Sequence, residues 1–303
     1  MKHNWLIILT ICILVTGCSP QPQQDKQQTS TKQSEIAGSA AEVKSSSAKN
    51  QQASEMASGI DQPFKGYEKI VVDGGDMSGY RKANVAVDIG FGDREYWAFT
   101  NKYGQLVKVT AKEIILQDDR TEAVTANGRY YNDEADVPGT ECADMDKGHI
   151  IADSLGGVSN AYNITPQEST LNRHGDQAYM ERVIRDAGGC TDFEATITYP
   201  DTTTEIPSHY HYTYRLKGNV VTDDFDNVNP DKVNKTISEK TQSKSTQKSP
   251  SKESHDISSI DKNGDGQVTI AEAKAVGFKM PITKEHWLYP YMDDRDGDGM
   301  VGE

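Results

Sequence analysis

Between about residues 62 and 226, apolar and polar positions alternate in short runs. Ala83 to Ile89, Glu95 to Phe99 and Leu106 to Val109 each follow a period of two, the pattern of half-buried strands. Gly90-Phe91-Gly92-Asp93 and Asn101-Lys102-Tyr103-Gly104 separate them as turn signals, so the spacing predicts a β-meander. From Gly175 to Ala187 the period lengthens. Tyr179, Met180, Val183 and Ile184 fall on one side of a helix, and Gly188-Gly189 is its stop. Two more strands, Phe193 to Tyr199 and His209 to Leu216, flank a turn at Pro200 to Thr204. In the last of these, Tyr210, Tyr212 and Tyr214 make the packed face, while His209 and His211 take the exposed one. The expected class is α+β, with antiparallel strands and few helices.

The flanks of this region lack such patterning. Trp5 to Val15 is an apolar run behind a short cationic start, the length of a secretory core rather than a membrane span. It ends at Thr16-Gly17-Cys18, which resembles a bacterial lipoprotein box. That resemblance implies removal of residues 1–17, lipid on Cys18, and attachment to the outer face of the cell membrane. Residues 18–61 are rich in Gln, Ser, Lys and Ala, a composition that buries too little surface to offset ordering entropy, and read as a tether. Residues 227–255 are read as a polar, Lys-rich linker. These segments account for a hydrophobic content of only 35%. Cys142 and Cys190 are the cysteines left in the folded part. In an exported chain they suggest one disulfide, with two separate thiols as the alternative.

The formal charge is −14, with 46 acidic and 32 basic residues. A net-negative chain does not hold nucleic acid by bulk electrostatics. It remains compatible with an enzyme that cleaves nucleic acid with a metal's help. The chemistry concentrates between Asp146 and Arg185. His149, behind Gly148, is the side chain there whose ordinary pKa suits proton transfer near neutrality. Asn172 offers a neutral carbonyl oxygen, suited to an ion such as Mg²⁺ that keeps most of its waters. Glu181 and Arg185, four apart, share one helical face. Glu181 is placed to orient metal-bound water and Arg185 to meet a phosphate as a fork. Lys147 adds a cation beside the imidazole. A base, a sparsely ligated divalent ion and nearby cations form a constellation for phosphodiester hydrolysis.

The segment Asp146-Lys147-Gly148-His149, followed by Asn163-Ile164-Thr165-Pro166-Gln167 and by Asn172 nine residues after Asn163, resembles the DNA/RNA non-specific endonucleases of the ββα-metal class. The resemblance implies a ββα-metal nuclease domain over residues 62–226, acting on DNA and RNA with Mg²⁺ or Mn²⁺. His149 would be its general base and Asn172 its metal ligand. Glu181 and Arg185 fall near the family's acidic and basic helix positions. Asp146 and Asn163 take supporting roles. Lys147 departs from the family's Arg, keeping the charge but losing bidentate geometry. No obligate protein partner is evident. The alternative is a catalytically inactive, calcium-binding surface lipoprotein in which the same domain acts as a binding module.

Residues 256–303 form the last expected module. Asp261, Asn263, Asp265, Thr269 and Glu272 supply side-chain oxygens at EF-hand spacing, Gln267 a backbone carbonyl, and Gly266 the sharp turn. A second loop offers Asp294, Asp296, Asp298 and the carbonyl of Met300, with Glu303 substituting for the missing twelfth ligand. Its ending resembles short extracellular calcium-binding modules with Asp-x-Asp-x-Asp-Gly and a terminal Glu; Gly302 stands where those have Cys. Both loops are expected to hold Ca²⁺, and Val268 with Val301 to pair the two through a short strand bridge.

Overall fold

The computed structural model describes residues 64–75, 78–244 and 255–303. The signal segment, the tether and Cys18 lie outside the described residues. All described residues belong to the unit Glu55–Glu303. No helix among them is long and apolar enough to cross a membrane.

A mixed α+β domain is built on a seven-stranded sheet. Its strands in chain order are β1 (Glu68–Ile70), β2 (Val85–Asp88), β3 (Tyr96–Thr100) and β4 (Leu106–Ile114), then, beyond a two-stranded insertion, β7 (Cys190–Thr198), β8 (His209–Leu216) and β9 (Asn219–Asp226). β1 runs parallel to β2; all other pairs are antiparallel. The period-two pattern is obeyed where it was clearest. Phe193, Ala195 and Ile197 of β7 and the three tyrosines of β8 are buried in one core. β9 was not foreseen from the sequence. It follows β8 through Lys217 and Gly218, both at positive φ (49° and 87°), so a two-residue turn fixes the β8–β9 register.

The insertion is a hairpin of β5 (Met145–His149) and β6 (Ile164–Glu168), followed by α1 (Ser169–His174) and α2 (Asp176–Ala187). β6 is buried along its whole length, so no alternation betrays it in the sequence. Buried Arg81 secures the hairpin by donating to the carbonyls of Ala161 and Ile164 while pairing with Glu205. α2 buries Met180 and Ile184 in the sheet's core and stops where expected, with Gly188 at φ 82° donating to the carbonyl of Arg185.

Three expectations are corrected. First, the polar linker contains a helix, α3 (Pro230–Lys244). Asn229 caps it through the Lys232 amide, and Pro230 occupies the first turn, where its missing N–H costs nothing. Asn234 is buried and exchanges two hydrogen bonds with the backbone of Lys279, and Ser238 accepts from the Trp287 indole. Second, Cys142 is exposed and Cys190 is buried at the start of β7; both are free thiols. Third, Val268 and Val301 do not pair. The tail folds on its own small core, including Ile260, Phe278, Met280 and Leu288. There β11 (Met300–Val301) pairs with β10 (Ile282–Thr283), and the Val268 amide donates to Tyr291. A short helix, α4 (Ile270–Ala275), leaves the first loop through a capping box between Thr269 and Glu272.

Candidate active site

β5 places Lys147 and His149 on one face and Gly148 on the other. Gly148 does not face an open site. It is buried, and a Cβ there would stand 2.5 Å from Oε1 of Gln167 across the hairpin, so the glycine serves close packing. Asn163 is fully buried. It accepts from the Ile151 amide at 3.0 Å and donates to the carbonyls of Ile151 and Val158, bracing the loop behind the imidazole.

The His149 side chain is only 11% exposed. Its Nε2 lies 3.5 Å from Asp153 Oδ2 and 3.5 Å from Ser159 Oγ, and its Nδ1 lies 4.0 Å from Glu134 Oε1. Burial pushes its pKa down, against the pull of the Asp153 and Glu134 carboxylates. The ring is therefore held in its unprotonated, proton-accepting form near neutrality. Glu134 comes from the long segment before β5. It pairs with Arg129 at 2.5 Å, while its carbonyl accepts from Lys147 Nζ at 2.9 Å. Lys147 also pairs with Asp136 at 2.6 Å, so its ammonium is engaged by this segment.

Glu181 approaches from α2. Burial pushes its carboxyl up to about 7; a hydrogen bond from Gln177 and the charge of Arg185 oppose the shift, and Asp153 adds to it. Gln177 is the organiser of this cluster. Its Nε2 donates to the His149 carbonyl at 3.1 Å and to Glu181 Oε1 at 2.8 Å, while its Oε1 accepts from Tyr212 at 3.0 Å. One buried amide thus ties the His149 backbone, the Glu181 carboxyl and the sheet together. Arg185 stands 3.8 Å from Glu181 and 3.4 Å from Ser154 Oγ, with its side chain 40% exposed. Gln177, Glu181 and Arg185 recur every four residues, the signal by which Gln177 could have been found. Glu134 carries no such pattern, because it reaches the imidazole from a separate segment, whereas Asp153 lies four residues after His149.

Asn172 belongs to a second cluster, three residues back along β5. Its Nδ2 donates to Asp146 at 3.3 Å, which aims its amide and leaves Oδ1 available as a donor to a cation. Asp146 also accepts from Ser169 and, bidentately, from Arg173 at 2.7 and 2.6 Å. The structure thus joins His149 with Glu181 and Arg185, and Asn172 with Asp146.

In the tail, amides of the loops wrap their first carboxylates. Gly264 and Gly266 donate to Asp261, and Gly297 and Gly299 donate to Asp294. Asp294, Asp296 and Asp298 each bring an oxygen within 4.8 Å of the others. Glu303 reaches the same loop, its carboxyl pushed up to about 7 by burial and by Asp298 and Asp296.

A strand–strand–helix unit carrying a buried imidazole, set against an antiparallel sheet, defines a ββα-type nuclease architecture. Residues 84–218 match the family model "DNA/RNA non-specific endonuclease". Among solved structures, NucA from Streptococcus agalactiae with no metal bound is 20% identical at a TM-score of 0.34, over 46% of this chain and 73% of that one. The same protein with magnesium bound is 19% identical at 0.33, over 49% and 78%. No curated protein matches.

Proposed function

We propose that the chain is a surface-anchored, metal-dependent endonuclease that hydrolyses DNA and RNA with little sequence preference. The observation carrying this reading is His149, held unprotonated between two carboxylates on the hairpin of a nuclease-family domain. His149 takes the proton of the attacking water. Gln177 fixes the backbone of that histidine and the carboxylate of Glu181, so the two keep one geometry. Arg185 is exposed enough to meet a phosphate oxygen.

Asn172 offers one aimed amide oxygen, which suits Mg²⁺ or Mn²⁺ that keeps most of its waters, and Glu181 would orient such metal-bound water. When bound, such an ion supplies charge stabilisation at phosphorus and at the departing oxygen. The tail loops are read as Ca²⁺ sites that hold the C-terminal module in order, and the Cys18 lipid as the membrane anchor.

The test is plasmid and RNA degradation by the purified chain across a panel of divalent metals. His149→Ala and EDTA should each abolish cutting. Cutting by His149→Ala at the parent's rate would overturn the mechanism.

A further inference from the structure

A guanidinium from a separate turn stands beside the His149 imidazole. Residues 125–129 close that turn. The Thr125 amide donates to the Arg129 carbonyl at 2.7 Å, the Arg129 amide donates to Thr125 Oγ1 at 3.2 Å, and Gly128 takes a φ of 73°. The next residue, Tyr130, is buried, stacks on Phe91 with ring centroids 3.6 Å apart, and donates its amide to Asp153 Oδ1 at 3.1 Å. Arg129 is therefore presented from a fixed base. Its Nη1 pairs with Glu134 Oε2 at 2.5 Å, and the other oxygen of that carboxylate lies 4.0 Å from His149 Nδ1. The segment thus meets the imidazole on both sides: Arg129 through Glu134 at Nδ1, and Tyr130 through Asp153 at Nε2. The Arg129 side chain is 41% exposed, and Glu134 is its one ion-pair partner among the described residues. Lys147, by contrast, has its ammonium engaged by Asp136 at 2.6 Å and by the Glu134 carbonyl at 2.9 Å.

Resting on the endonuclease reading, we propose that Arg129 grips the scissile phosphate and supplies the two-pronged contact that Lys147 cannot make. The non-bridging oxygens of a phosphodiester match two parallel N–H donors of a guanidinium, whereas an ammonium meets them only as a point charge. In Arg129 the pairing with Glu134 uses Nη1. The Nε–Nη2 edge, which is a complete fork, is left for a ligand. Glu134 holds the guanidinium one carboxylate away from the base, so a phosphate on that fork lies beside the water that His149 would deprotonate. Arg129 neither gives nor takes a proton. It offsets the charge that builds on the non-bridging oxygens as the water attacks. Arg185, 40% exposed on α2, comes from another element, so two guanidinium groups would serve the phosphate.

The test is steady-state cleavage of DNA and RNA by the full chain in saturating divalent metal, comparing the parent with Arg129→Ala, Arg129→Lys and His149→Ala. The charge of Arg129 lowers the His149 pKa, so rates are compared on the high-pH plateau, where every variant holds the imidazole unprotonated. Arg129→Ala should lower kcat by about 10²–10³-fold, the usual worth of one preorganised donor to developing charge, with KM changed only a few-fold. Arg129→Lys, which keeps the charge and loses the fork, should stay nearer to Arg129→Ala than to the parent. Guanidinium chloride, below the concentration that unfolds the parent, should restore part of the activity of Arg129→Ala and none to His149→Ala. Equal NaCl should restore neither. A parental kcat in Arg129→Ala, or a loss confined to KM, overturns the role of Arg129 while an inactive His149→Ala leaves the endonuclease reading standing. A parent that cuts with no metal overturns that reading and this role with it. Should Arg129→Ala fail to fold, by circular dichroism, a parental kcat in Arg129→Lys overturns the role instead.

Discussion

The hairpin–helix site and the second tail loop each contain a glutamate whose carboxyl is pushed up to about 7. Around Glu181 the partners are Gln177 and Arg185 on its own helix and Asp153 after β5. Around Glu303 they are Asp296 and Asp298, residues of the same ten-residue loop. The first carboxyl is held by an amide that also bonds the His149 backbone and Tyr212 of the sheet. The second is raised by burial and by the carboxylates of its own loop. One site is organised before any ion arrives, and the other has its order to gain from an ion.

The sharpest way to break this comparison is to remove one group from each region. His149→Ala should lower plasmid cleavage about 10²–10⁴-fold, the usual worth of a general base. Asp294→Ala should leave cleavage in saturating Mg²⁺ within a few-fold. Comparable losses in initial-rate assays would mean that the tail is part of the catalytic machinery.

Gln177→Leu should come next. It removes the bond to Glu181 and the brace on the His149 carbonyl while keeping the volume. Cleavage should fall by about 10–100-fold, since a small displacement of a positioned group is costly. The Gln177 bond lowers the Glu181 pKa, so the acidic limb of the pH–rate profile should also move to higher pH. A rate loss with an unmoved profile would show that Gln177 serves folding alone.

Glu181 also gives a stability signature. Its folded pKa is raised, so between about 4.5 and 7 the folded state binds more protons than the unfolded one. The stability it contributes is present at low pH and is lost as pH rises through about 7. The loss is at most about 3 kcal/mol at 1.36 kcal/mol per unit. Glu181→Gln should be more stable than the parent at pH 8, with the difference shrinking towards pH 5, in metal-free denaturant melts. For the tail, Ca²⁺ at ten times a millimolar-range dissociation constant should stabilise by about 1.4 kcal/mol. Because Glu303 must lose its proton to bind, Ca²⁺ should bind more weakly at pH 6 than at pH 8.

These contrasts also explain what could be read from the chain alone. The motif through His149 and Asn172 and the helix pair Glu181 and Arg185 could be named from the sequence because spacing carries them. The two acidic tail loops could be named from the sequence because their oxygen-bearing residues alternate over a short stretch. The meander, α2 and β8 were legible because one face of each meets the core and the other does not. β6 was not, being buried on both faces, and α3 was not, because its polar composition outweighed the Asn229-Pro230 start signal. Glu134 was invisible, since it acquires its partner through a fold-level juxtaposition rather than a local spacing.

The smallest expected effect tests whether the two regions communicate. Lys274, two residues after the last ligand position of the first loop, pairs at 2.6 Å with Asp176, whose side chain is 5% exposed. Asp176 precedes Gln177 at the start of α2. At the helix's N-cap, Gly175 leaves no room for a Cβ, which would lie 2.9 Å from the carbonyl of Met280 in the tail. The tail thus rests on the end of α2 that holds Gln177. Lys274→Met keeps most of the side chain's volume and removes its charge, leaving Asp176 buried without its cation. The loss should be about 1–3 kcal/mol, the cost of stranding one partner of a largely buried pair, and less than full burial would demand because Lys274 is one-third exposed. Added Ca²⁺ should recover part of it if loop and helix act as one body. Equal destabilisation with and without Ca²⁺, in melts followed by hydrogen exchange at Gln177, would show that the contact is a static prop and that the tail's ions do not reach the site.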